Sequence, residues 1–124
     1  MELHESGQMY LETIHVLLQK QEHVRAIDVG NHLGYSKPSV SRAIGLLKQE
    51  GYITVDGDGH IALTASGLAE ARRIYERHTV LTAMLTALGV DETTAAEDAC
   101  RMEHVISDAT FAAVKAHLTR HKQN

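Results

Sequence analysis

From Tyr52 to Thr64 the chain changes its period, and that change constrains what it can fold into. The runs Tyr52-Ile53-Thr54-Val55 and His60-Ile61-Ala62-Leu63-Thr64 alternate on either side of Asp56-Gly57-Asp58-Gly59, which reads as two short strands joined by a turn. Everything around this hairpin has helical spacing. Upstream, Leu11, Ile14, Leu17 and Leu18 form an amphipathic stripe over residues 7–21, and Ala26 to Leu33 reads as a short helix interrupted by Gly34 and Tyr35. Ser36 then offers an N-cap, and Pro38 is tolerated in the first turn of the helix it opens. In that helix Val40, Ile44 and Leu47 point inward, Pro38, Ser41, Arg42, Gly45 and Lys48 point outward, and Gly51 stops it.

Downstream, Thr64-Ala65-Ser66-Gly67 leads into a long helix to Leu88, with Leu68, Ala71, Ile74, Leu81, Met84, Leu85 and Leu88 as its apolar positions and Gly89 as its terminator. A further helix is expected from Glu92 to Val105, capped by Asp91 or Thr93, and a last one from Asp108 to His121. The fold class is therefore mainly α with a small β-hairpin. Helix, glycine turn, capped helix and hairpin follow the order of a winged helix-turn-helix, expected over residues 1–66, with a helical dimerisation domain over residues 67–124.

A chain of 124 residues can bury one compact core or divide into two small modules that share a helix. Its single cysteine, Cys100, excludes an intramolecular disulfide; the N-terminus lacks the basic-then-apolar run of a secretory signal, and no apolar stretch reaches membrane-spanning length. These features point to a reducing cytoplasm and no membrane partner. A net charge of −4 argues against a protein that coats nucleic acid non-specifically, because counterion release rewards a strongly basic surface. Specific binding to double-stranded DNA survives that objection if basic residues gather on one face.

Such a face is written into the second helix of the pair. Ser36, Lys37, Pro38, Ser39, Ser41 and Arg42 are small or polar near its N-terminus, as entry into the major groove demands. Arg42 suits a bidentate contact to guanine, while the serines and Lys37 suit phosphates or base edges. The alternative is an ordinary solvated helix face; the order of the elements, more than any one residue, favours DNA. In the wing, Asp56 and Asp58 repel phosphate and His60 is the one candidate cation.

Cys100, Glu103 and His104 stand at i, i+3 and i+4, so a helix puts a thiolate, a carboxylate and an imidazole on one face, which is a transition-metal half-site. Cysteine is also often buried structurally, and Glu-His pairs are common on solvated faces. Met9 and Glu12 on the first helix, and His78 on the long helix, are individually unremarkable. His117 and His121, spaced i, i+4, read as dipole-compatible surface residues, and His4, His15, His23 and His32 show no converging partners.

The runs MYLETI at Met9 to Ile14, KPSVSRAI at Lys37 to Ile44 and, most specifically, ACRMEHVISD at Ala99 to Asp108 resemble the diphtheria toxin repressor family of iron- and manganese-dependent regulators across nearly the whole chain. That resemblance implies a metal site of Met9, Cys100, Glu103 and His104, completed by the Cys100 carbonyl and a water. Manganese-sensing relatives carry carboxylates where Met9 and Cys100 stand, so these two positions resemble the iron-sensing branch, whereas Glu12 and His78 match ligands of the manganese-type binuclear site. The ancillary iron-type site would need an acid at Thr82 and a histidine near Ala96, and is expected to be lost or rebuilt. With Asn124 as its last residue, the sequence is expected to be a short form that lacks the SH3-like domain of long iron-dependent members.

Together these readings predict a non-enzymatic, metal-dependent repressor. Fe(II) is the first expectation and Mn(II) the alternative, with other divalent transition metals binding in vitro. The partners are a palindromic DNA operator and a second copy of the chain. The competing readings are a metal-independent winged-helix regulator responding to a small molecule or to Cys100 oxidation, and a small metallohydrolase using Glu103 as base. The second is disfavoured because the chain is largely consumed by a DNA-binding architecture.

Overall fold

The computed structural model describes residues 5–122, and the side chains of residues 6–120. His4 and the His121 side chain lie outside the described residues. The elements are α1 (Glu5–Lys20), α2 (Ala26–Leu33), α3 (Lys37–Gln49), β1 (Ile53–Val55), β2 (Ile61–Leu63), α4 (Ala65–Ala87), α5 (Glu92–Met102) and α6 (Asp108–Lys122). The chain is thus mainly helical with one small hairpin, and it divides into two units, Met1–Arg72 and Arg73–Asn124, with the boundary inside α4.

In the first unit, Leu11, Ile14 and Leu17 from α1 pack with Val29 from α2, Val40, Ile44 and Leu47 from α3, and Ile53 and Ile61 from the hairpin. Leu11, Ile14 and Val29 are wholly buried, and each such side chain contributes roughly 1.5–3 kcal/mol. Gly34 adopts the left-handed region (φ 73°) and donates its amide to the Gly30 carbonyl, which ends α2. Two residues later the Ser36 hydroxyl accepts the Ser39 amide at 3.4 Å, so α3 starts where the cap residue predicts.

The strands pair antiparallel with Ile53 opposite Leu63, Thr54 opposite Ala62 and Val55 opposite Ile61. The second strand starts at Ile61 rather than His60. Asp56 explains the difference, because its Oδ1 accepts the amides of both Asp58 and His60 at 2.9 Å and so draws His60 into the turn. Gly67, in the first turn of α4, lies against the hairpin: a Cβ there would stand 1.9 Å from the Tyr52 carbonyl oxygen.

In the second unit, Ile74, Arg77 and Leu81 of α4, Ala95 and Ala99 of α5 and Phe111 of α6 are buried. Gly89 (φ 104°) follows the end of α4, and Leu88, expected among the apolar positions, is 74% exposed. Asp91 caps α5 by accepting the Thr94 amide at 3.0 Å. The helix ends at Met102, short of the expected Val105. Beyond it the Val105 amide turns back to the Met102 carbonyl at 3.1 Å, Arg77 Nη1 takes the carbonyls of Glu103, at 3.2 Å, and Ile106, at 2.8 Å, and the Ser107 hydroxyl accepts the Thr110 amide at 3.1 Å and opens α6.

Candidate metal centre and nucleic-acid interface

In the second unit a carboxylate is set between two imidazoles. Glu103 is 1% exposed; its Oε2 lies 3.0 Å from His78 Nδ1 and its Oε1 lies 3.2 Å from His104 Nε2. His78 comes from α4, while Glu103 and His104 come from the turn after α5. That turn is fixed from behind by Arg77, itself 4% exposed, which also pairs with Asp108 and stands over the Phe111 ring at 5.3 Å from its centroid. Glu103 and His104 offer a buried carboxylate and imidazole of the kind a divalent transition-metal ion takes, and they fit such a group, while His78 faces the other carboxylate oxygen. Cys100, in the last turn of α5, is exposed and in no disulfide. The Thr82 hydroxyl, at the position where an iron-type ancillary site would need an acid, is spent on the His78 carbonyl at 2.7 Å.

In the first unit Met9 and Glu12 are half-buried on α1. The Met9 thioether accepts a hydrogen bond from the Tyr35 hydroxyl at 3.3 Å, and the Tyr35 ring meets the Tyr10 ring edge-on, 5.9 Å between centroids. Burial pushes the Tyr10 phenol above its ordinary pKa; Tyr35 adds to the shift and Arg42 opposes it.

The exposed face of α3 carries Lys37, Pro38, Ser41 and Arg42, and Ser36 immediately before it is exposed as well. Ser39 is half-buried, and its hydroxyl accepts that of Ser36 at 3.0 Å, so these two serines are committed first to the helix start. His60 does not stand alone on the wing. Its ring stacks on His23 with centroids 4.2 Å apart, its Nδ1 lies 3.5 Å from Asp56, and its Nε2 lies 3.4 Å from the Arg25 guanidinium. The sequence reading missed Arg25 and His23. The signal was there in His23-Val24-Arg25, an alternation whose middle residue is wholly buried and whose carbonyl accepts the Ile61 amide at 2.8 Å, so the segment runs alongside β2.

Both units are similar to domains of known proteins. The N-terminal DNA binding domain of the iron dependent repressors matches residues 2–61, and their metal binding and dimerisation domain matches residues 64–124. The transcriptional regulator MntR of Escherichia coli O6:H1 is 32% identical over 112 residues, covering 90% of this chain and 72% of that protein. The diphtheria toxin repressor of Corynebacterium diphtheriae is 29% identical over 108 residues, covering 86% of this chain and 48% of that one, so the chain spans about half the length of that relative. A solved structure described as a manganese-dependent transcriptional repressor in complex with manganese superposes with a TM-score of 0.83 at 28% identity, covering 91% of this chain and 52% of that one. These relatives are transcriptional regulators, not enzymes, and among the described residues no helix is long and apolar enough to cross a membrane. With both domains matched in order, the chain belongs to the iron-dependent repressor family of metal-dependent, DNA-binding transcriptional regulators, the family of the diphtheria toxin repressor.

Proposed function

We propose that this chain is a repressor whose affinity for a palindromic operator is raised by Fe(II), with Mn(II) as the second metal, held by donors from both units. The observation that carries the reading is the buried Glu103 carboxylate between His78 and His104. Met9 and Glu12 from the DNA-binding unit, and Cys100 from α5, complete the proposed ligand set. Carboxylate and imidazole donors suit Fe(II) and Mn(II) alike, while the Met9 thioether and the Cys100 thiolate favour the softer Fe(II).

A divalent ion in this set supplies positive charge and fixed geometry among the donors. The protein residues do the rest. Arg77 holds the turn of Glu103 and His104 in place; Ser36 caps α3; Arg42 reads a guanine; and Lys37, Arg25 and His60 meet phosphates. Where ligands from the two units share one ion, the relative orientation of those units is restricted, and in a homodimer the spacing of the two α3 helices with it. Without the ion, the competent spacing is one member of an ensemble, and apparent DNA affinity is lowered by that fraction. Linkage requires that operator DNA tighten metal binding by the same factor.

The test is anaerobic titration of Fe(II), Mn(II) and Zn(II) into an operator duplex obtained by selection from a random library, with wild type, Cys100→Ala and His104→Ala. Both variants should remain folded dimers and lose metal-dependent binding. Should either bind DNA with unchanged metal dependence, the shared-ion reading falls; operator binding by the wild type that none of the three metals alters would put a metal-independent regulator in its place.

A further inference from the structure

We propose that Tyr35 is a positioning residue that ties the occupancy of Met9 to the start of α3. The inference rests on the reading of Met9 as a metal ligand and adds a residue to it. Tyr35 occupies a particular place in the chain. It follows Gly34, whose left-handed backbone ends α2, and it precedes Ser36, the cap of α3. Its amide donates to the Gly30 carbonyl at 3.2 Å, which holds its backbone to α2. Its side chain crosses to α1, where the hydroxyl donates to Met9 Sδ at 3.3 Å and the ring meets the buried Tyr10 edge-on. One residue therefore ties the connection between α2 and α3 to α1, and one of its contacts with α1 is to the atom by which Met9 would hold an ion.

A thioether is a weak hydrogen-bond acceptor, and its donor strength is shared among whatever it binds. Coordination draws electron density from the sulfur and weakens the bond from Tyr35; the bond from Tyr35, in turn, makes Met9 a poorer ligand. Metal and hydroxyl oppose each other across one sulfur. Binding of the ion loosens Tyr35 beside the exposed first turn of α3, where Lys37 and Pro38 stand ready for a duplex. Part of the metal's free energy of binding thus reaches the DNA-reading helix within this one unit.

Tyr35→Phe removes the hydroxyl and keeps the ring against Tyr10. Mn(II) and Co(II) affinities are measured by competition with a fluorescent chelator, and hydrogen exchange of the segment 34–40 is followed by mass spectrometry with and without Mn(II). The variant should bind both metals about two- to five-fold more tightly, as expected for removal of one weak competing hydrogen bond, and Mn(II) should alter exchange in 34–40 less than half as much as in wild type. In a Met9→Leu background the Tyr35→Phe substitution should have no effect on metal affinity. If Met9→Leu weakens metal binding while Tyr35→Phe leaves either readout unchanged, the role of Tyr35 is refuted and the ligand reading stands. If Met9→Leu leaves metal affinity unchanged, Met9 is no ligand and both fall.

Discussion

Arg77 donates to the main-chain carbonyl of Glu103 at 3.2 Å, so the residue next to His78 in sequence holds the residue opposite His78 in space. The guanidinium also serves the Ile106 carbonyl and Asp108. These acceptors differ in what they contribute. The Asp108 side chain is 88% exposed, so its ion pair adds about 0–1 kcal/mol, whereas each carbonyl left unsatisfied beside a buried Arg77 costs about 1–3 kcal/mol.

Arg77→Lys keeps the charge and loses the fork that reaches both carbonyls. It should destabilise the protein by about 2 kcal/mol in urea unfolding and weaken Mn(II) binding beyond what that instability explains. Asp108→Asn should change stability by less than about 1 kcal/mol. Equal losses from the two substitutions would show that the ion pair, and not the carbonyl contacts, holds the turn.

Arg42→Ala should reduce binding to the selected operator by about 1–3 kcal/mol and relax preference at one base pair, with metal affinity unchanged. Gel-shift competition across single-base operator variants reads this out. A uniform loss at every position would assign Arg42 to a phosphate instead.

Two carboxyls should lend acid-sensitive local order. The Thr94 amide, with help from the Thr94 hydroxyl, holds Asp91 below its ordinary value of 3.8. The His60 amide does the same for Asp56, with partial desolvation opposing and the Asp58 amide assisting. A folded pKa below the unfolded one gives stabilisation that is present above the unfolded value and is lost as pH falls through the folded value. The α5 cap and the hairpin turn should therefore be intact at neutral pH and loosen only in acid, with midpoints below 3.8. Amide chemical shifts of Thr94 and His60 against pH would show it; a midpoint at or above the ordinary carboxyl value contradicts the assigned hydrogen bonds.

Much of this architecture was legible in the sequence, because local rules set it. Ser36 and Asp91 are caps, Gly34 and Gly89 take the left-handed backbone that ends or follows a helix, and the period change at Tyr52 marks the hairpin. The chemistry-bearing run Glu103-His104 was visible too, as was His78. What the sequence hid depends on distant partners. The spacing of Cys100, Glu103 and His104 implies one continuous helix, but the Val105 amide closes it on the Met102 carbonyl and Arg77 holds the turn that follows, with Cys100 exposed on α5 and Glu103 in the turn. Arg25 and His23 reach the wing only because Val24 pairs with Ile61, and no local pattern joins Tyr35 to Met9.

Gly67→Ala should cost about 3 kcal/mol, at the upper end of overpacking, because the obstacle is the Tyr52 backbone carbonyl rather than a side chain that can swing aside. Thermal unfolding measures the loss; a change within about 0.5 kcal/mol would mean that helix and hairpin can separate cheaply.

The same contact bears on how the first unit opens. A helix N-terminus ordinarily frays and a two-stranded ribbon ordinarily peels, each alone and at little cost in free energy. Here the Tyr52 carbonyl accepts the Thr64 amide, the Thr64 hydroxyl donates to the Gly51 carbonyl and accepts the Gly67 amide, and Gly67 leaves no clearance for slippage. Neither piece can let go without the other. The first turn of α4 and the ribbon from Tyr52 to Thr64 should behave as one cooperative opening unit, so that protection at the Thr64, Gly67 and Leu68 amides rises and falls together under native-state exchange.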